Sequence, residues 1–184
     1  FCDVASEAVV ESLDAETIYE VPLRYEGLGL GDLVANRLQL EADKNDMAEW
    51  EELVQRIKHP EAECEIAVVG KYTSNGDAYK SIGEALVHAG IPNDARVRVE
   101  WIESDSLENG VSPADALGGM DGLVVAPGFG GRGIEGKIQA IRYARETGLP
   151  FLGICLGLQM AVIEFARNVC GLLGANSEEM DEET

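Results

Sequence analysis

From residue 66 onward, short apolar runs alternate with longer amphipathic stretches. IAVVG (66–70) reads as a buried strand, followed by a loop and a helix over Asp77–Ala89 that Gly90 closes. VRVEWI (97–102) alternates with period two, as a strand does. DGLVVA (121–126) is a second buried run, then come a glycine-rich loop and a helix from about Ile134 to Glu146 closed by Gly148. PFLGI (150–154) is a third buried run and passes straight into a helix. On that helix Leu158, Ala161, Val162, Phe165, Ala166, Val169 and Leu172 follow a 3.6-residue period and are the expected core stripe. Strands alternating with helices predict an α/β fold with a parallel sheet covered on both faces.

The first third has a different texture. Residues 1–40 read as short strands and a helix, with turn signals in GLGLGD (27–32) and a helical DLVANRLQL after it. Residues 41–65 hold nine acidic and three basic residues (Lys44, Arg56, Lys58). Within them Met47, Trp50, Leu53 and Ile57 recur at helical spacing, so a linker helix resting one stripe on a neighbour is expected, ended by His59-Pro60. Three segments follow: 1–40, an acidic linker at 41–65, and an α/β domain at 66–184.

Composition limits the function classes. Of 184 residues 46% are hydrophobic, enough apolar surface to exclude disorder throughout. The net charge of −20 argues against a basic nucleic-acid-binding face. No apolar run reaches the roughly 18 residues of a membrane span. The charge divides as 16 acidic against 5 basic residues over 1–64 and 18 against 9 over 65–184. Acidity spread this evenly suggests solubility and a salt-adapted host. Phe1 starts a stretch without signal-peptide character, and the chain stops after EEMDEET, so a piece of a longer protein is expected. Cys2, Cys64, Cys155 and Cys170 form no CxxC pair or zinc-type cluster, which favours a reduced, cytoplasmic setting and no bound metal.

The sharpest chemical signal is GICLG, 153–157. A buried strand, a Gly-x-Cys-x-Gly turn and an immediate helix have the form of a nucleophile elbow with Cys155 at its apex. The glycines allow a strained reversal, and the helix N-terminus favours the thiolate. A small core cysteine in a tight turn is the other reading. The second signal is APGFGGRGIEGK (126–137), also between a strand and a helix. Gly128, Gly130 and Gly133 match GxGxxG, but no acidic residue ends the next strand and the loop does not follow the first strand, which weakens a dinucleotide site. A loop offering backbone N–H groups to an oxyanion fits as well, with Gly128 N–H the natural donor, since Pro127 has none, and Leu156 N–H its partner. A purely structural turn also remains. VGKYTS (69–74) lacks the first glycine of a phosphate loop, Glu65 standing there. Neither His59 nor His88 is well placed to serve Cys155, which leaves the acid–base partner unassigned.

Three segments carry a family resemblance: GKYTSNGDAYKSIGEALVHAGI, the stretch from APGFGGRGIEGK through GICLGLQMAVIEFARNV, and GANSEEMD. Together they resemble CTP synthases, and FCDV, IYEVPL and GLGLGDLVANRLQL resemble the end of that family's synthetase domain. The resemblance implies a synthetase-domain remnant, a helical linker, and the first part of a class I glutamine amidotransferase domain with a flavodoxin-like sheet, incomplete at its C-terminus. It implies amination of UTP to CTP with ATP, Mg and ammonia from L-glutamine, GTP activation, and a homotetramer. Cys155 would be the glutaminase nucleophile; Gly128, Leu156, Gly157, Leu158, Gln159 and Glu179 would hold glutamine and its oxyanion. Leu13, Asp14 and Ala15 match an adenine-contacting stretch, and Phe1 an aromatic near the pyrimidine nucleotide. The family's His and Glu partners fall beyond residue 184 and its phosphate loop and magnesium carboxylates before residue 1, so this chain alone is expected to bind no cofactor and to be inactive. The residues themselves also allow a stand-alone cysteine hydrolase or a non-catalytic domain.

Overall fold

The computed structural model describes residues 3–41, 45–75 and 77–181. Phe1, expected near a pyrimidine nucleotide, lies outside them. The chain forms two compact units, Phe1–Pro60 and Glu61–Thr184.

In the first unit the expected short strands do not form among the described residues. A strand needs a partner for its backbone groups, and this unit offers none. Instead Pro22 sits in the first turn of helix α1 (Val21–Gly27), where its missing N–H costs nothing. Gly29, at φ +74°, turns the chain into α2 (Leu30–Leu38), which ends at a left-handed Gln39. The acidic stretch supplies α3 (Ala48–Lys58), stopped ahead of Pro60 as the sequence indicates. Met47, Trp50, Leu53 and Ile57 are only half-buried, and Val54 is the residue of α3 that is fully enclosed. The indole Nε1 of Trp50 donates to the Tyr19 carbonyl at 2.7 Å, and Lys58 bridges Glu16 and Glu20 at 3.1 and 3.5 Å.

The second unit is built on four parallel strands: β1 (Ala62–Gly70), β2 (Ala95–Glu103), β3 (Gly122–Val125) and β4 (Phe151–Gly153). Their spatial order is β2-β1-β3-β4, with Val69 opposite both Ile102 and Val125, and Val125 opposite Gly153. The order reverses at β1, so the crevice between the carboxyl ends of β1 and β3 is the topological switch point where open α/β sheets bind ligands. Side chains alternate across the sheet as a pleat requires. Ala67, Val69, Leu123 and Val125 face a core with Leu107, Ile138, Ile141, Leu156, Met160 and Ile163. Val68 and Val124 face the other way, with Tyr79, Ala126, Ile82 and Leu86. The helices are α4 (Lys80–Gly90), the short α5 (Ser104–Glu108) and α6 (Pro113–Leu117), α7 (Ile134–Thr147) and α8 (Leu156–Asn168).

Three local expectations change. Gly90 ends α4 without a left-handed cap; the chain continues through a 3-10 turn to Asp94 at φ +47°. A Cβ at position 90 would lie 2.3 Å from the Ala95 carbonyl oxygen, so the glycine serves a close approach. The third buried run becomes the edge strand β4, whose Phe151 and Leu152 are exposed. On α8 the buried face is Leu156, Gly157, Met160, Ile163 and Glu164, whereas Leu158, Val162 and Phe165 face outward and Val169 and Leu172 lie beyond the helix. Gly148, at φ +76°, closes α7 as the sequence suggests.

Candidate active site

Cys155 follows β4 and caps α8 with φ +53° and ψ −108°, a conformation non-glycine residues rarely adopt. The thiol is free and exposed at the carboxyl edge of the sheet. Its two flanking glycines are there for space. A Cβ at Gly153 would sit 2.6 Å from backbone atoms of Gly157 and Leu158, and one at Gly157 would lie 2.2 Å from the Val125 carbonyl oxygen. The chain can reverse only because strand, turn and helix pack backbone on backbone. A cysteine held in such a strained, exposed position is not a core filler.

Leu156 opens α8, so its N–H belongs to the first-turn donors that a helix leaves without an internal partner. Its side chain is buried, as is Gly157; Leu158 and Gln159 are exposed, with Gln159 N–H bonded back to the Cys155 carbonyl at 3.2 Å. The glycine loop starts one strand away. Ala126 N–H continues the β1–β3 ladder to Val69, and Ile154 N–H donates to Val125 at 3.0 Å, so both segments leave the same sheet edge. Gly128 (φ +144°), Gly130 (φ +82°) and Gly133 (φ +73°) then take conformations that favour glycine.

Side chains from the surrounding elements pin this loop. Lys71, at the end of β1, is buried and donates from Nζ to the carbonyls of Phe129, at 2.8 Å, and Gly130. Lys137, fully buried in the first turn of α7, donates to the Ala126 carbonyl at 2.8 Å. The Tyr79 hydroxyl accepts from Lys71 N–H at 3.1 Å and donates to the Pro127 carbonyl at 3.2 Å. Arg132 donates to the Lys71 carbonyl at 2.6 Å and pairs with Asp105 at 2.6 Å. Burial first, and then the charge of Lys71, push Lys137 down to about 8, while Cys155 pulls the other way. Burial and Arg132 likewise lower Lys71, opposed by Asp105, Glu179 and Glu108. Glu179 lies exposed in the turn after α8. No sequence period marks Lys71, Tyr79 or Lys137, since each is placed by a loop or a helix start.

His88 lies in the last turn of α4, at the amino edge of the sheet where β2 begins, opposite the edge that carries Cys155. The Leu13 side chain borders a cavity of about 360 Å³ in the first unit, formed with Ser12, Val21, Arg24, Tyr25 and Leu28. Asp14 contributes its carbonyl to Arg24 at 2.7 Å, and Ala15 is half-buried beside it in sequence. Among the described residues no group of three or more His, Cys, Asp or Glu could hold a metal ion. No helix among them is long and apolar enough to cross a membrane.

A four-stranded parallel sheet with a cysteine elbow beside a glycine loop at its carboxyl edge defines an α/β domain of the flavodoxin-like type. The family model of the class-I glutamine amidotransferases matches residues 76–184, and the chain belongs to that family. Its relatives carry the comparison further. It is 58% identical to the CTP synthase of Symbiobacterium thermophilum over 182 residues, 97% of this chain and 34% of that protein. It is 54% identical to the CTP synthase of Methanocaldococcus jannaschii, covering 100% of this chain and 35% of that one. Among solved structures, the glutaminase domain of Trypanosoma brucei CTPS with bound acivicin superposes with a TM-score of 0.61 at 41% identity. That match covers 65% of this chain and 47% of the other. The chain thus spans about a third of the length of these curated relatives.

Proposed function

We propose that this chain is the part of a CTP synthase that joins the end of the synthetase domain to the ammonia-producing glutaminase. The observation that carries the reading is Cys155 at φ +53° between two glycines that tolerate no Cβ, beside the glycine loop at the same sheet edge. The thiolate attacks the side-chain amide carbon of L-glutamine, and the carbonyl electrons move onto oxygen. Gly128 and Leu156 N–H stabilise that oxyanion. On collapse the amide nitrogen takes up a proton and leaves as ammonia, and a glutamyl thioester remains for water to cleave. Glu179 and Gln159 hold the substrate, the carboxylate facing its ammonium group; Gly157 and Leu158 shape the turn beneath it. The resemblance assigns the acid–base step to a His and a Glu beyond Thr184.

The ammonia would aminate UTP to CTP at an ATP- and Mg-dependent centre in the synthetase domain, under GTP activation, in a cytoplasmic homotetramer. The Leu13 cavity supports a nucleotide contact in the first unit. The test is covalent labelling with acivicin, read on the Cys155 peptide by mass spectrometry. Labelling that free L-glutamine slows, and that Cys155→Ser abolishes, is expected. A label indifferent to glutamine points to a general thiol hydrolase, and an unreactive thiol to a non-catalytic domain; either overturns the reading.

A further inference from the structure

In the glycine loop the carbonyls turn inward. Ala126, Pro127, Phe129 and Gly130 all give their oxygens to side chains of the surrounding elements: Lys137, Tyr79 and, for the last two, Lys71. The Pro127 carbonyl matters most, because it shares a peptide unit with Gly128 N–H. No peptide bond in the described chain is cis, and in a trans peptide C=O and N–H point in opposite directions. Whatever holds the Pro127 oxygen therefore fixes where the Gly128 N–H points. Gly128 itself cannot hold that plane. At φ +144° it occupies a region open to glycine alone, and glycine is the residue with the most backbone freedom to lose.

We propose that Tyr79 is a positioning residue of the amidotransferase site, its hydroxyl setting the Pro127–Gly128 peptide so that Gly128 N–H is aimed at the oxyanion before substrate arrives. The inference rests on the glutaminase reading above. The hydroxyl is well suited to the task, because it is fixed from both sides. It accepts from Lys71 N–H at the end of β1 and donates across to the loop that follows β3, linking the two strands that flank the switch point. The ring is held as well: it is buried, stacks on Trp101 with centroids 6.2 Å apart, and lies against Gly70, where a Cβ would come within 2.6 Å. A donor aligned in advance need not reorganise as charge develops, which is what makes an oxyanion hole effective.

Tyr79→Phe removes the oxygen and leaves the stack. Three quantities are measured on the whole chain, each on the Cys155 peptide: the rate of iodoacetamide alkylation, and the concentrations of L-glutamine and of its γ-aldehyde analogue that halve that rate. The thiolate adds reversibly to the aldehyde carbon and the carbonyl pair becomes the oxyanion of a thiohemiacetal, so the aldehyde reads the hole. Alkylation and glutamine protection read the thiol and the ground-state site. In Tyr79→Phe the half-protecting aldehyde concentration should rise about tenfold, short of the hundredfold or more that deleting a donor costs. The other two should stay within about twofold. Aldehyde protection equal to that of the parent chain overturns the proposal, and so does a parallel shift in all three, which marks a merely structural role. If neither compound protects the parent chain, the glutaminase reading fails, and the proposal with it.

Discussion

At the scale of single residues, the glycine loop depends on two buried cations, Lys71 and Lys137. Lys137 keeps a charge among apolar side chains because its ammonium group has the Ala126 carbonyl to donate to, and the burial lowers it to about 8. The sign of its effect on stability follows. Below about pH 8 the lysine is protonated in both folded and unfolded chains, and folding bears the cost of burying the charge. Between about 8 and 10.5 the unfolded chain holds a proton that the folded chain has released, so this residue's contribution becomes more favourable as pH rises. Comparison with Lys137→Met isolates the effect, since the other titrating groups are common to both. The unfolding free energy of the parent chain minus that of the variant should grow on the order of 3 kcal/mol between pH 7 and 10.5. Chemical denaturation at a series of pH values measures it, and a difference independent of pH would show that Lys137 is not desolvated. The lysine was invisible in the sequence for a physical reason: a charged residue in the first turn of a helix reads as solvent-facing until a loop folds over it.

At the scale of elements, the strands and the elbow were legible and the faces of α8 were not. Buried runs at 66–70 and 121–126 mark β1 and β3 because central parallel strands are apolar on both sides. GICLG identified its own turn, since only glycine fits where backbone meets backbone. The first unit differs from its expected strands for another reason. Its apolar residues were spaced loosely enough for strand or helix, and the lack of a strand partner decided for helix. Helix α8 is apolar almost all the way round, so two stripes of similar period compete and the sequence cannot choose between them. The packing chooses Met160 and Ile163, at 0% and 4% exposure, over Val162 and Phe165, at 62% and 51%. Truncation should reproduce that order. Met160→Ala or Ile163→Ala is expected to lower stability by about 2–4 kcal/mol, as core deletions do. Phe165→Ala should change it by about 0.5 kcal/mol or less, as surface substitutions do. Urea denaturation gives both values, and a large loss at Phe165 would restore the stripe inferred from periodicity.

At the scale of the whole molecule, the charge of −20 is a property of both units rather than of a tail, with 34 acidic residues against 14 basic ones. Most of the arginines are already engaged. Arg24, Arg56, Arg98, Arg132, Arg142, Arg145 and Arg167 each pair with a carboxylate. Most of these pairs are solvent-exposed, and such pairs contribute about 0–1 kcal/mol each. Added salt therefore acts in two directions: it weakens modest attractions and it screens the mutual repulsion of the surplus carboxylates. The surplus outnumbers the pairs, and repulsion among many like charges acts over longer distances than a contact pair, so screening it is the larger effect once the Debye length falls from about 10 Å at 0.1 M to about 3 Å at 1 M. The thermal midpoint should rise steadily as sodium chloride increases from 0.05 to 1 M, at pH 7. Chloride is the appropriate anion because sulfate strengthens apolar burial by itself and would raise the midpoint of any protein. At pH 4.5, where many carboxylates have begun to take up protons, the same salt series should have a shallower slope. A flat response at pH 7, or an equal slope at both pH values, would mean that the surplus charge is too dispersed to strain the fold.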